Sequence, residues 1–434
     1  MPSQKLSNRT KQSGQTLMLV AVAMVSLLAI AALAVDLVSL YAARGEIQRA
    51  ADAAALAGAK AFVDSGVTTN PTLQPIAQTM AQAYASAAAA QNLVSGAAAQ
   101  FSAPLTFDFT TYPGNPRIYV TLARTGLPLF FARMWGGQFA SVSASAVGEA
   151  YNPAYSQANT QSFVPTAPKC VKPFLVPNND IAPGTTSPIY VDPGSGAPEP
   201  TALSLIGRPL PLVSACKPGA RGCILRNGQS APRKWQYLPM QVFGPHQYCP
   251  ALSSPGCSAG ASDFQQSIQC CDGSAFDFAQ CGQRATPAAW DPSINPSLAG
   301  GETENGLQCL IHTTAGNPQH DTLDTSKFLS QTGPVLISPG PYSQALYGLQ
   351  PADLMATSDS IITVPLFDNS RPELPPNLTI VGFLQLFVTD VGSGAQSGSF
   401  GTVILNISGC GQAIGPGAIS GGGISAIAVR LVRP

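Results

Sequence analysis

The chain has 434 residues, with 22 Lys plus Arg balanced by 22 Asp plus Glu and only 10% of its side chains charged. There is no one-signed field to draw in nucleic acid or an anionic surface, which sets nucleic-acid binding aside as a function class. Gly (41) and Pro (39) recur without a collagen-like period, which excludes a fibrous repeat and favours many turns and irregular loops over long helices.

The first element is apolar. Lys5, Arg9 and Lys11 precede residues 17–35, nineteen positions with no charge and one polar side chain, Ser26. At about 1.5 Å per residue such a helix covers roughly 28 Å, the hydrocarbon thickness of a bilayer. The cationic flank resists translocation, so the reading is a single-pass anchor with a cytoplasmic N-terminus and an exported bulk. A cleavable secretory signal is the rival, since Ala32-Leu33-Ala34 supplies an A-x-A site, but the apolar run exceeds the usual signal core. Residues 36–63 contain no Pro and only Gly45 and Gly58 as weak points, so the helix is expected to continue to about residue 63.

Along that extension Ala50, Ala54, Ala57 and Ala61 share one side, and small side chains permit close backbone approach. Two readings stay open: a packing seam for neighbouring helices of the same design, as in pilus-type assemblies, or an Ala-rich stalk or seam for this chain's own second helix. Asp36, at the end of the apolar run, is expected in the outer headgroup layer, with pairing to a partner helix as the alternative.

Residues 14–59 resemble the N-terminal module of TadE/TadG-like proteins of the tight-adherence (Flp) pilus machinery. The resemblance is carried by Gly14, by Ala34-Val35-Asp36, by Tyr41 and Arg44, and by the string from Ile47 to Ala59 that includes Gln48, Ala50, Asp52, Ala54 and Ala57. It continues more weakly through 128–133 and 142–146, and beyond residue 150 thins to 170–174 and 380–383. The resemblance implies an envelope-anchored, non-catalytic component of pilus assembly or anchoring. One position departs from the prepilin pattern: the fifth residue after Gly14 is Leu19, not Glu, so processing at Gly14 or near Ala34 stays open.

A second helix is expected over 73–93, with Pro75 in its first turn. Strands are expected over 105–109 and 117–123 around a hairpin loop at 112–116, a short helix over 127–135, and a further strand over 139–151. The expected organisation is thus a leader (1–16), a transmembrane segment (17–40) continuing as helix to about 63, a small α+β unit (64–151), a polar linker (152–166), and a β-rich extracytoplasmic domain (167–434). In that last part the strands are placed at 187–191, 237–243, 307–312, 360–367, 378–390, 401–408 and 424–432, arranged as a sandwich. Gly421, Gly422 and Gly423 read as a turn. The fold class is α+β, with a mostly β, disulfide-rich and loop-rich distal domain.

All ten cysteines lie beyond residue 169: Cys170, Cys216, Cys223, Cys249, Cys257, Cys270, Cys271, Cys281, Cys309 and Cys410. An even count on the side expected to be oxidising reads as a disulfide framework, and the absence of any C-x-x-C pair weighs against zinc. Cys216 with Cys223 and Cys249 with Cys257 are plausible local loops. Only His246, His312 and His320 are available for acid-base work, and the cluster of His312 with His320-Asp321 lacks a nucleophile or third ligand. Asp368-Asn369-Ser370 opens like an adhesion metal site, but Pro372 breaks that pattern. Asn377-Leu378-Thr379 and Asn406-Ile407-Ser408 fit the glycosylation sequon. No catalytic residue, cofactor or metal is assigned. The expected partners are the bilayer and other pilus-assembly or pilin-like proteins, met through the N-terminal helix, at the bacterial inner membrane. The alternatives are a surface binding or adhesion module on the same tether, and a secreted hydrolase.

Overall fold

The computed structural model describes residues 10–111, 115–137, 139–152, 166–182, 185–193, 197–241, 246–271, 287–297, 301–314, 317–330, 335–353, 355, 357–370, 377–391, 398–409, 419–420 and 427–432. Cys281, Cys410, most of the expected linker, Gly421 to Gly423 and much of the hairpin loop lie outside them.

Helix α1 (Thr10–Asp64) runs unbroken for 55 residues. From Asp36 on, one stripe of it is buried at helical spacing, through Ala43, Ile47, Ala50 and Ala54. Two elements cover that stripe. One is α2 (Gln74–Gln91), preceded by a short turn in which Asn70 Oδ1 accepts from the Thr72 amide, and packed through Ala77, Ala81, Ala85 and Ala89. The other is an antiparallel sheet of β1 (Gln100–Phe101), β2 (Thr106–Asp108), β3 (Arg117–Pro128) and β4 (Phe139–Tyr151), in which both β1 and β2 pair with β3. Strand β3 alternates, sending Ile118, Val120 and Leu122 into the core. The helix lies so close to this sheet that a Cβ on Gly148 would sit 2.2 Å from the Ala55 carbonyl oxygen. The expected helix over 127–135 is shorter than its sequence implied. A register shift between Arg124 and Leu127, with Gly126 at positive φ, carries β3 on to Pro128, and only Ala132–Trp135 forms a 3-10 turn.

The strands of the large distal sheet are β5 (Phe174–Pro177), β6 (Leu212–Ser214), β7 (Gln236–Pro239), β8 (Pro287–Ala289), β9 (Ile361–Phe367), β10 (Asn377–Val391) and β11 (Ser399–Gly409). They do not form two facing sheets. The pairing runs β10-β9-β5-β7-β6-β11 and returns from β11 to β10, a closed ring of six strands with β8 added on β10. Closure removes free edges that a sandwich would have to protect. Its core holds Phe174, Tyr237, Val364, Leu384, Phe400 and Ile404. All seven residues of β9 are buried, as a strand covered on both faces requires.

The expected strand at 307–312 is instead the end of a helix, α4 (Glu302–Leu310), which crosses α3 (Asp263–Gln269). Leu307, Leu310 and Ile311 suit a helical face as well as a strand, and Glu302 and Glu304 favour a helix start. At Gly306 a Cβ would approach Ile268 Cβ to 2.9 Å, so the crossing depends on that glycine.

Among the described residues four disulfides join eight cysteines: Cys170–Cys271, Cys216–Cys223, Cys249–Cys270 and Cys257–Cys309. The short Cys216–Cys223 loop is as its spacing suggests. The Cys249–Cys257 loop is not formed, because α4 brings Cys309 against the 254–257 turn while α3 ends at Cys270, beside Cys249.

The last described strand, β12 (Ala428–Val432), does not join the distal ring either. It pairs antiparallel with β4, completing the first unit's sheet from the far end of the chain. Glu149, buried in β4, accepts from Arg117 Nε at 2.9 Å and Arg430 Nε at 2.7 Å. The two units also touch directly. Asn406 Nδ2 donates to the Val63 carbonyl at 2.7 Å and to Gln385 at 2.9 Å, and the Thr69 hydroxyl donates to the Ile407 carbonyl at 3.1 Å. Asn406 is therefore occupied and buried, which removes its sequon from use.

Candidate membrane-anchor site

Ahead of Asp36 the helix leaves the folded unit behind. From Leu17 to Val35 its large apolar side chains are exposed, and the segment is long and apolar enough to cross a membrane. Exposure of large apolar side chains continues past Asp36 through Leu37, Val38 and Tyr41, and Arg44 is the first exposed charge on the C-terminal side.

Asp36 is the one acidic or basic residue from Leu17 to Tyr41, and it is 2% exposed. Its hydrogen bonds come from this chain's own backbone. Its Oδ1 accepts from the Phe130 amide at 2.8 Å, and its Oδ2 from the Phe131 and Ala132 amides at 2.9 and 2.6 Å. Three consecutive N–H groups entering the 3-10 turn at Ala132–Trp135 thus converge on one carboxylate, an arrangement that disperses anionic charge over backbone dipoles. The turn carries exposed Phe130 and Phe131, and Phe139 stands opposite Pro128 on the neighbouring strand, also exposed.

The other motif residues are divided between surface and core. Tyr41 and Arg44 are exposed. Gln48 Nε2 donates to Asp52 Oδ1 at 2.9 Å and to the Ser145 carbonyl at 3.3 Å, tying the helix surface to β4. Ala50, Ala54 and Ala61 are fully buried within this chain's own core, and Ala57 is half-buried. Of the two readings of the alanine seam, the structure realises the intramolecular one.

The histidines lie in the distal unit. His312 Nε2 is 3.0 Å from Asp359 Oδ2, and its ring stacks on Tyr342 with centroids 3.8 Å apart. Both rings line a cavity of about 330 Å³, together with Lys172, Tyr248 and the Cys170–Cys271 and Cys249–Cys270 bridges. Asp321, which sequence places next to His320, accepts from the Gly340 amide and the Ser358 hydroxyl. The residue that partners His312 is thus Asp359, 47 positions away, and nothing in the spacing marked it. His246 faces Asp263 at 3.8 Å, apart from the other two.

No curated protein and no solved structure matches the chain. Residues 14–61, which hold the apolar segment, Asp36 and the alanine seam, match the Tad family model, described as "Putative Flp pilus-assembly TadE/G-like".

Proposed function

We propose that the protein is a non-catalytic, membrane-anchored structural component of tight-adherence (Flp) pilus assembly. It sits in the bacterial inner membrane with its N-terminus in the cytoplasm and its bulk in the periplasm or outside. One observation carries the reading: a TadE/G-like helix projects uncovered from a folded unit that has already buried the other half of the same helix. Lys5, Arg9 and Lys11 on the N-terminal flank support the orientation. The four disulfides of the distal unit suit an oxidising compartment. Because the alanine seam is occupied within the chain, pilin-like partners are assigned to the apolar segment and to exposed Tyr41 and Arg44.

The test joins three measurements on the full chain. It should resist carbonate extraction, an enzymatic reporter fused to its C-terminus should be active only outside the cytosol, and in-cell crosslinking should capture other pilus-assembly proteins. Release by carbonate or a cytosolic C-terminus sinks the proposal. Retention without any pilus-assembly partner leaves a surface module on the same tether.

A further inference from the structure

We infer that the turn at residues 129–137, with Phe139 beside it, is a lipid-facing collar that seats the folded unit in the interfacial layer of the bilayer, and that Asp36 is the positioning residue that holds the collar against the helix. This rests on the membrane-spanning reading above and adds a second surface to it.

The apolar belt is longer than the uncharged run in the sequence. Its one internal charge is buried and bonded, so the exposed apolar surface extends from Leu17 to Tyr41. At about 1.5 Å per residue these positions cover roughly 37 Å, more than the ~30 Å of hydrocarbon and less than the 40–45 Å that includes the headgroups. The level of Asp36, a turn and a half before Tyr41, therefore falls where hydrocarbon meets headgroup. Ala32 and Ala29, one and two turns deeper on the face of Asp36, are partly covered while the side chains around them are exposed.

At that level the turn shows what interfacial lipid favours. Phe130 is 64% and Phe139 66% exposed, and Phe131 is also open, an apolar patch that the Asp36 bonds hold beside the helix. Exposed Arg133 in the same turn offers a cation to lipid phosphate. The backbone is prepared as well. Irregular backbone is tolerated near lipid only when its polar groups are satisfied. Here the amides of Phe130, Phe131 and Ala132 donate to Asp36, that of Gly136 to the Arg133 carbonyl, and that of Gly137 to the Ala132 carbonyl. A docking protein would not require this, since its own polar groups and trapped water can serve exposed amides.

The test places the photocrosslinker p-benzoylphenylalanine at Phe130 or Phe139 in the full chain, with Tyr248 of the distal unit as a reference site, and identifies adducts by mass spectrometry from native membranes. Phospholipid adducts are expected at 130 and 139 and none at 248. Asp36→Asn should lower the adduct yield at 130 several-fold while the chain stays carbonate-resistant. Should that variant fail to fold, the adduct chemistry in the otherwise native chain decides by itself. Protein adducts in place of lipid, whether from a second copy or another component, overturn the collar and leave the anchor standing. Release of the chain by carbonate overturns the anchor and the collar together.

Discussion

At the residue scale, two glycines on the helix–sheet seam separate backbone crowding from side-chain crowding. A Cβ on Gly148 would lie 2.2 Å from the Ala55 carbonyl oxygen, whereas one on Gly58 would meet Ile118 Cδ1 at 2.4 Å. The Ile118 side chain can change rotamer, but the α1 backbone cannot move without dragging the whole packed helix. Gly148→Ala is therefore expected to cost about 2–3 kcal/mol in denaturant unfolding, near the upper end of overpacking, and Gly58→Ala clearly less. The reverse order would show that the helix, not the isoleucine, gives way. Further along α1, Asp64 pairs with Lys60 at the end of the helix. Its burial pushes the carboxyl up from the ordinary value of 3.8, against the opposing pull of the Lys60 ammonium. The fold thus favours the protonated acid over the unfolded chain. Stability from this group is present below the ordinary carboxylate pKa and is lost as pH rises through the higher folded value. Asp64→Asn removes that titration, so the variant should gain on the native chain as pH rises above about 4. Parallel stability–pH profiles would rule the effect out.

At the scale of elements, what could be read from the chain was what is local. Strand β4 spans residues 139–151, the bounds its alternation suggests, and α2, β9, β10 and β11 fall within two residues of their expected positions, because periodicity and turn residues mark long segments at both ends. The failures share a cause in tertiary context. Strands β5 and β6, which nothing in the sequence marked, have four and three residues and are strands only because the ring supplies their partners. Helix α4 needed the α3 crossing to be told from a strand. The partners of Asp36 lie at least 94 residues downstream, out of reach of any spacing rule. The disulfides make the same point, since local spacing found Cys216–Cys223 but could not find Cys257–Cys309. Peptide mapping without reduction should recover the four pairs of the structure and no Cys249–Cys257 peptide. Loop-closure entropy ranks their contributions, with separations of 52 residues for Cys257–Cys309 and 7 for Cys216–Cys223. The double serine variant of the first pair should cost about 2 kcal/mol more in thermal unfolding than that of the second. Equal losses would mean that native packing, not the unfolded chain, sets the value of these bridges.

At the scale of the whole molecule, the anchored unit is closed by a strand from the opposite end of the chain. Strand β12 covers the edge of β4, places Ala428 and Ile427 in buried positions, and brings Arg430 to the Glu149 carboxylate. The ring strands, 174–409, lie between these two halves of one sheet, so the ring is attached to the anchored unit at two points of the chain and again through Asn406 and Thr69. Force applied to the distal unit is then shared between two connections and a packed contact. The first unit has every other element by residue 151, yet its edge strand and second arginine come only with residues 428–432. Deleting residues 427–434 should leave β4 with an open edge and Glu149 buried with Arg117 alone. Breaking a fully buried pair costs about 3–5 kcal/mol, and Arg430 is 41% exposed, so about 1–2 kcal/mol is assigned to the lost ion pair, with the loss of strand pairing added to it. Limited proteolysis of the truncated chain should cut within residues 117–151 under conditions that spare the full-length protein, while the disulfide-linked ring stays resistant. Equal resistance of both units after truncation would show that α1, α2 and the remaining strands hold the first unit by themselves, and that β12 is a tether without a structural share in the anchor.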